Sequence, residues 1–223
     1  MCKPLLPLYD EVFQEKFNAK ALGMFSVDGI ALLSTKPVRT LGDWKGLLVG
    51  TGSPMTSAIF KELGASPVTT NWTDLYESLQ RHVIDATAFT PHGALSMNLM
   101  DVCDHIAPFY AHGAFHGFTI NLDVWKKMPE NIQKILQEEI DTSCRWMDDI
   151  IVSLQDDDVK AFKQKGTKII VIPNVERERW AERLAPLKEK QLSSLGEFGQ
   201  EVQEIAEEAN QRYPYDEKKI RTE

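Results

Sequence analysis

Residues 47–88 read LLVGTGSPMTSAIFKELGASPVTTNWTDLYESLQRHVIDATA, a segment in which short apolar runs alternate with helical patterns. The runs at 47–50, 67–70 and 83–88 predict strands, and the two segments between them predict helices. Three strands joined by two helices in one short segment are typical of crossover connections on a mostly parallel sheet. The sequence therefore predicts an α/β fold.

The first of these helices has clear signals at both ends. Ser53 is expected to cap its amino terminus, Pro54 to take the first helical position, and Gly64 to end it. Its predicted buried face consists of apolar side chains at helical spacing, namely Met55, Ala58, Ile59 and Leu63. The second helix is expected to start near Thr73 and Asp74.

Weaker patterns on both sides predict the remaining elements. Before the segment, a helix is expected at 4–17 and a strand at 29–34. The elements expected after it are a helix at 92–101, strands at 105–109, 114–121 and 168–172, helices at 176–192 and 197–212, and a polar tail at 213–223. The apolar run at 168–172 favours a central position in a sheet.

Residues 129–165 predict one long helix. Apolar residues recur there at helical spacing, Pro129 marks the start, and Gly166 marks the end. Such a helix spans on the order of 50 Å, which is longer than one small lobe is wide. Because the apolar positions keep no strict heptad, a helix that braces two lobes is favoured over a coiled coil.

Composition limits the classes of function. The chain has 223 residues, 43% of them hydrophobic and 26% charged, and a net charge of −8. These values indicate a folded protein, and the acidic balance argues against nucleic acid or an anionic membrane as a partner. The three cysteines lie far apart, so neither a disulfide framework nor a CxxC metal pair is expected. Residues 1–17 lack the pattern of a secretory signal, because two prolines break the apolar run.

Motifs that carry catalysis or cofactors receive little support. The turn Gly50-Thr51-Gly52-Ser53 lies where a strand meets a helix, a position at which backbone N–H groups can hold an anion. It lacks the third glycine of a dinucleotide fingerprint and the Gly-Lys-Ser/Thr sequence of a P-loop, so a tight turn with a capped helix is favoured. His112 and His116 lie in a glycine-interrupted, strand-like segment, which argues against a metal site. Neither a metal nor a cofactor is expected.

Residues 35–47, TKPVRTLGDWKGL, resemble the KP(I/V)xSxxDLKGLKIR stretch of the DctP family of TRAP-transporter solute-binding proteins. Four further pieces resemble that family in the same order: LGASPV at 63–68, DLYESLQ at 74–80, VIDA at 83–86 and INLDVWKKMPE at 120–130. No single piece is specific, but the ordered set is.

The resemblance implies a periplasmic-binding-protein-like, two-lobed α/β fold with the long helix as its brace. Residues 30–115 would form lobe two. Residues 1–29 would be the remaining amino-terminal part of lobe one, and 116–223 its carboxyl-terminal part, with the long helix at 129–165 and the terminal helices. Family members have a signal peptide and further residues ahead of the matching start, so lobe one is expected to be incomplete and the chain truncated at its amino terminus.

The resemblance also places a ligand pocket. Family members clamp a substrate carboxylate with an arginine at the end of KGLKIR and with a second, earlier arginine, a role that suits the planar guanidinium. The matching positions here are Gly50 and Ile30, so an apolar, neutral or cationic ligand is expected rather than a simple C4-dicarboxylate. The expected ligand-binding residues are Gly50, Thr51, Ser53, Trp72, Phe89, Thr90, Phe115 and His116.

The function implied is that of a periplasmic receptor without enzymatic activity. Two lobes would close by hinge bending on a small-molecule solute and deliver it to TRAP transporter membrane subunits. Two alternatives stay open. One is an α/β enzyme that uses the Gly50–Ser53 turn as an anion cradle, and the other is a receptor fragment that binds nothing.

Overall fold

The computed structural model describes residues 2–27, 29–108 and 115–214. These residues form two compact units. The small-sheet unit comprises 2–27, 115–153 and 195–214, and the large-sheet unit comprises 29–108 and 154–194. The predicted strand ends at 109 and 114, His112 and the tail beyond 214 lie outside the described residues.

Helices and strands alternate along much of the chain. The helices are α1 (Cys2–Phe17), α2 (Pro54–Leu63), α3 (Leu75–Gln80), α4 (Pro91–Ser96), α5 (Leu122–Lys127), α6 (Glu130–Gln164), α7 (Asn174–Ser194) and α8 (Glu197–Arg212). The strands are β1 (Ala19–Ser26), β2 (Ala31–Ser34), β3 (Leu48–Thr51), β4 (Ser66–Thr69), β5 (Ala86–Phe89), β6 (His105–Pro108), β7 (Phe115–Asn121) and β8 (Lys168–Ile169). The α/β prediction is confirmed, as are the positions of the long helix and of the two helices that follow it.

The large sheet has the strand order β4-β3-β5-β2-β6-β8. Strand β3 is parallel to β4 and to β5, and β6 is parallel to β8. Strand β2 runs antiparallel to both of its neighbours, β5 and β6. The sheet is therefore mostly parallel, as predicted, and the carboxyl ends of β3, β4 and β5 share one edge.

Helix α2 begins and ends at the residues that the local sequence signals indicate. The Ser53 side chain accepts a hydrogen bond from Thr56 N, Pro54 begins the helix, and Gly64 ends it at a φ of 103°. Its buried face consists of Ile59, Phe60 and Leu63. The prediction for Met55 was wrong, because this side chain lies in the first turn, past the end of β3, and is 41% exposed.

Two apolar clusters cover the two faces of the large sheet. Successive strand residues point to opposite faces, so the neighbours Leu32 and Leu33 of β2 belong to different clusters. The first cluster contains the stacked rings of Trp44 and Phe60, with Trp180 of α7 in edge contact with Trp44. The second packs α3, α4 and the end of α6 against the other face, with Phe162 buried in it.

The small-sheet unit is built on two antiparallel strands, β1 and β7. Residues 21–24 of β1 are buried, and Gly23 lies so close to α6 that a Cβ there would come within 2.6 Å of Ile140 Cγ2 and 2.8 Å of Cys144 Sγ. Strand β7 is mostly exposed. Strand β1 was not predicted from the sequence.

Two strand predictions need correction. Strand β5 begins at Ala86 rather than at residue 83, because a turn with His82 at a φ of 56° comes first and leaves Val83 53% exposed. Strand β8 covers only Lys168–Ile169 and lies at the edge of the sheet, so the central strand predicted at 168–172 was wrong. Ile170 and Ile172 are nonetheless buried in the first cluster.

The units differ from the predicted lobes at residues 154–194. These residues pack with the large sheet, although the sequence partition places them with 116–223. Two contacts of α7 illustrate this packing: Glu176 accepts a hydrogen bond from Leu41 N at 3.0 Å, and Arg183 donates to Glu62 O at 2.7 Å. The division into functional lobes stays a prediction.

Candidate functional site

A cavity of about 370 Å³ opens at the carboxyl ends of β3, β4 and β5. This edge of a parallel sheet is where open α/β folds bind their ligands. The lining residues are 50–53 and Thr56 from the β3–α2 connection, 70–72 and Leu75 from the β4–α3 connection, 87–89 from the end of β5, and Ile30 just before β2. All of them belong to the large-sheet unit.

The β3–α2 loop is held by its own hydroxyl groups. Thr51 Oγ1 accepts a hydrogen bond from Ser53 N at 3.2 Å and donates to Ser53 O at 3.3 Å. Thr70 N donates to Thr51 O at 3.1 Å, which ties the loop to the segment after β4. The loop is therefore shaped by contacts within the unit.

Two further threonines form the floor of the cavity. Thr87 is 2% exposed, and its hydroxyl donates to Gly50 O at 3.1 Å. Thr70 is 8% exposed, and its hydroxyl donates to Val68 O at 3.2 Å. Both groups use their single proton on the backbone, so they present oxygen lone pairs to a ligand.

Two aromatic side chains line the cavity and differ in exposure. Trp72 lies in a short 3₁₀ turn and is 65% exposed. Phe89 is half-buried at the end of β5, and its ring lies against Gly93 of α4. A Cβ on Gly93 would come within 2.6 Å of Phe89 Cε1, so this glycine allows the observed ring position.

The electrostatic character of the cavity is neutral. None of its thirteen described lining residues has a side chain that is charged at neutral pH. The lining combines hydroxyl groups, one amide, two aromatic rings and aliphatic groups. It favours hydrogen bonding and apolar contact over ion pairing.

Gly50 is closely packed by neighbouring side chains. A Cβ at this position would come within 2.6 Å of Ile84 Cδ1 and 3.4 Å of Leu75 Cδ2. Ile84 is fully buried in the second apolar cluster. A long side chain at position 50 therefore does not fit the present packing.

The structure brings together five of the eight predicted ligand-binding residues. Gly50, Thr51, Ser53, Trp72 and Phe89 all line the cavity. Their role in binding stays a prediction.

The other three predicted residues lie elsewhere. Thr90 is not among the lining residues; it caps α4, where its hydroxyl accepts a hydrogen bond from Gly93 N at 3.3 Å. Phe115 and His116 belong to β7 of the small-sheet unit. Phe115 contacts the ring of Tyr9, and His116 stacks on Phe25.

Sequence reasoning did not assign Thr56, Thr70, Asn71 or Thr87 to the site. Thr70 and Asn71 directly follow β4, and the rule that ligands bind at the carboxyl ends of parallel strands would have indicated them. Thr87 lies within a strand, and only the pairing of β5 beside β3 reveals that it faces Gly50.

One pair of titratable groups outside the cavity is formed by His92 and Asp158. His92 Nδ1 lies 2.9 Å from Asp158 Oδ1, and Asp158 is almost fully buried.

Within the described part of the chain, no group of three or more His, Cys, Asp or Glu side chains is placed to hold a metal ion. Among the described helices, none is both long and apolar enough to cross a bilayer.

The fold and the cavity define an α/β ligand-binding unit. The sequence profile of DctP, the bacterial extracellular solute-binding protein family 7, matches residues 8–194. The chain belongs to this family.

Curated relatives are similar at low identity. The ectoine-binding periplasmic protein TeaA of Halomonas elongata is 22% identical over 204 residues, which cover 90% of this chain and 59% of TeaA. The C4-dicarboxylate-binding periplasmic protein DctP of Rhodobacter capsulatus is 25% identical over 187 residues, which cover 81% of this chain and 56% of that protein. The chain thus spans less than two thirds of the length of these relatives.

Solved structures show the same fold. The periplasmic ectoine-binding protein of the TeaABC TRAP transporter of Halomonas elongata matches with a TM-score of 0.83 and 19% identity, over 91% of this chain and 67% of that one. A TRAP periplasmic solute-binding protein from Desulfovibrio salexigens with bound orotic acid matches with a TM-score of 0.81 and 22% identity, over 92% and 67% of the two chains.

Proposed function

We propose that this chain is the solute receptor of a TRAP-type transporter and that it binds a small metabolite in the cavity of the large-sheet unit. The observation that carries the proposal is the position of this cavity, at the carboxyl ends of three parallel strands, in a member of a solute-binding family. A volume of about 370 Å³ falls within the range of small-molecule sites.

The partners and the cellular location follow from the relatives. TeaA and the Rhodobacter DctP are both described as periplasmic binding proteins, and the TeaA structure is assigned to a TRAP transporter. We propose the same for this chain: an extracytoplasmic location and delivery of the solute to TRAP membrane subunits. A pull-down with those subunits in the presence and absence of solute tests this part.

Binding without turnover is part of the proposal. Its support is that the named relatives are binding proteins. The anion cradle of the enzymatic alternative receives no specific support from the β3–α2 loop, since Ser53 N and Thr56 N are already bonded within the loop. Chemical change of a bound solute, followed by mass spectrometry, would favour the enzyme instead.

A thermal-shift screen against a metabolite library tests the receptor function. A ligand present at 100 times its dissociation constant stabilises the folded state by about 2.7 kcal/mol, which raises the melting temperature by several degrees. We expect at least one small metabolite to do so. A normal melting transition with no shift across the library contradicts the receptor function and favours the fragment that binds nothing.

A matched pair of tryptophan variants locates the binding. Trp72 lines the cavity and is 65% exposed, whereas Trp146 lies on α6 in the small-sheet unit and is 58% exposed. Trp72→Ala is expected to lower the affinity for the solute found in the screen by about tenfold, because it removes an aromatic contact surface. Trp146→Ala controls for the loss of an exposed indole and should leave the affinity unchanged.

A further inference from the structure

The buried hydroxyl groups of the cavity share one hydrogen-bonding state. Thr51, Thr70 and Thr87 each donate their hydroxyl proton to a backbone carbonyl oxygen. A hydroxyl group has a single proton and two lone pairs, so each of these groups can only accept from a ligand. The floor of the cavity therefore presents hydrogen-bond acceptors.

Three backbone donors at the start of α2 are already used. Ser53 N donates to Thr51 Oγ1, Thr56 N donates to Ser53 Oγ, and Ser57 N donates to Ser53 O at 2.9 Å. Pro54 has no N–H group. These donors are consequently not available to an anionic group in the cavity.

We infer that the cavity selects an uncharged solute that carries hydrogen-bond donors, such as the hydroxyl groups of a sugar or polyol or the N–H groups of an amide. This inference rests on the proposed receptor function and names the substrate class of the same site. A carboxylate has only acceptor oxygens, so it receives no hydrogen bond from Thr51, Thr70 or Thr87 in their observed state.

Charge energetics support the same class. An ion in this partly open cavity loses part of its hydration, which weakens binding by about tenfold or more, and the described lining residues offer neither a cation nor an anion as partner. A cation could gain from the ring of Trp72, but at a ring 65% exposed this contact is worth only about two- to fivefold in affinity. The loss exceeds the gain, so a neutral solute binds best.

Trp72 and Phe89 indicate the shape of that solute. Both rings line the cavity beside the threonine floor. A ring-shaped molecule can place one apolar face on an aromatic side chain while its hydroxyl or amide protons reach the threonine oxygens. The neutral class is thereby narrowed to solutes with a flat apolar face.

The test uses solutes of similar size and shape that differ mainly in charge. One set contains D-glucose, D-glucuronate and D-glucosamine, and a second contains nicotinamide and nicotinate. Titration calorimetry on the whole chain should show that, in any set that binds, the neutral member binds at least tenfold more tightly than its charged partners. A charged member that binds more tightly overturns the inference and leaves the receptor function standing. If no member of any set binds and the metabolite library is also silent, both the inference and the receptor function are contradicted.

A pair of charge-introducing variants tests whether the cavity wall sets the preference. Thr56 lines the cavity on the first turn of α2, and Met55 is its exposed neighbour outside the lining. Thr56→Lys should improve the ratio of carboxylate to neutral affinity by about tenfold, because it supplies the missing cation. Met55→Lys adds the same charge to the same helical turn and should leave the ratio unchanged. Equal ratios for both variants would overturn the assignment of selectivity to this wall.

Discussion

Gly50 lies directly against Ile84, so that a Cβ on Gly50 would come within 2.6 Å of Ile84 Cδ1. Ile84 is fully buried among the side chains that cover one face of the large sheet. Because Gly50 is both a lining residue and a member of β3, this packing limits the side chain that the cavity wall can carry at position 50.

The Gly50–Ile84 contact predicts a compensating pair of substitutions. Gly50→Ala should lower the free energy of unfolding by about 1–3 kcal/mol, because the added methyl group overpacks a buried site. Ile84→Val removes the Cδ1 atom that is in the way, so the double variant should lose less stability than the sum of the two single variants. Urea unfolding of the wild type, the two single variants and the double variant gives the coupling free energy between the two positions.

Gly52→Ala is the control for that pair. A Cβ on Gly52 would meet nothing closer than Thr70 O at 3.5 Å, an ordinary contact. The substitution should change the free energy of unfolding by less than Gly50→Ala does. Strict additivity of the Gly50 and Ile84 changes would contradict the contact.

The buried face of α2 predicts a second contrast. Phe60→Ala should destabilise the protein by about 3–5 kcal/mol, because it leaves a cavity beside the stacked ring of Trp44. Met55→Ala should change stability by no more than about 0.5 kcal/mol, since Met55 is 41% exposed. Chemical denaturation measures both, and similar losses for the two variants would contradict the assignment of the buried face.

We expect the two interactions of Asp85, a backbone hydrogen bond and an exposed ion pair, to contribute differently to stability. Its carboxylate accepts from Leu48 N at 3.1 Å and pairs with Lys36 Nζ at 2.8 Å, but Lys36 is 65% exposed. Asp85→Ala should destabilise by about 1–3 kcal/mol, because Leu48 N loses its acceptor. Lys36→Ala should cost less than about 1 kcal/mol, since the pair is open to solvent. A loss for Lys36→Ala as large as that for Asp85→Ala would contradict this ranking.

His105 predicts how stability changes in mild acid. Burial lowers the pKa of this histidine below its ordinary value of 6.5, and the charge of Lys168 lowers it further. The unfolded chain therefore takes up the proton first, so the free energy of unfolding should fall as the pH drops below 6.5 and level off below the folded pKa. Urea unfolding measured from pH 8 to pH 5 follows this change.

His105→Gln removes the titrating group and should flatten that pH dependence, whatever its effect on stability at pH 8. His116→Gln, at an exposed position on β7, is the control and should keep the wild-type slope. Asp85 affects stability in a different, more acidic pH range. Burial raises its pKa, but the Lys36 ammonium and Leu48 N–H outweigh this and lower it below 3.8, so its contribution is lost only below that pH. A wild-type slope in His105→Gln between pH 6.5 and 5 would refute the role of His105.

Local signals explain which elements could be predicted from the sequence. The cap at Ser53, the proline after it and the glycine at 64 are short-range features, and the structure has the helix they indicate. Pro129 and Gly166 likewise bound α6 correctly. Strand β1 depends instead on pairing with β7, about a hundred residues away, and no local sequence pattern indicates that partner. The shortness of β8 has a similar cause, because its ladder to β6 is decided by tertiary contacts.

The cavity was predictable in part for the same reason. Gly50, Thr51 and Ser53 lie where a strand meets a helix, a junction that the sequence marks directly, and they do line the cavity. Phe115 and His116 were assigned to the pocket through the family resemblance, and the structure places them on β7 with Tyr9 and Phe25 as neighbours. The hydrogen-bonding state of the threonine floor depends on which carbonyl each hydroxyl reaches, and this requires coordinates.

A crystal structure of the chain with the solute that gives the largest thermal shift is the decisive test of where the solute binds. We predict the solute in the large-sheet cavity, with its donors within hydrogen-bond distance of Thr51, Thr70 or Thr87 and one face against Trp72 or Phe89. A solute bound with no contact to the residues that line this cavity would contradict the proposed binding site.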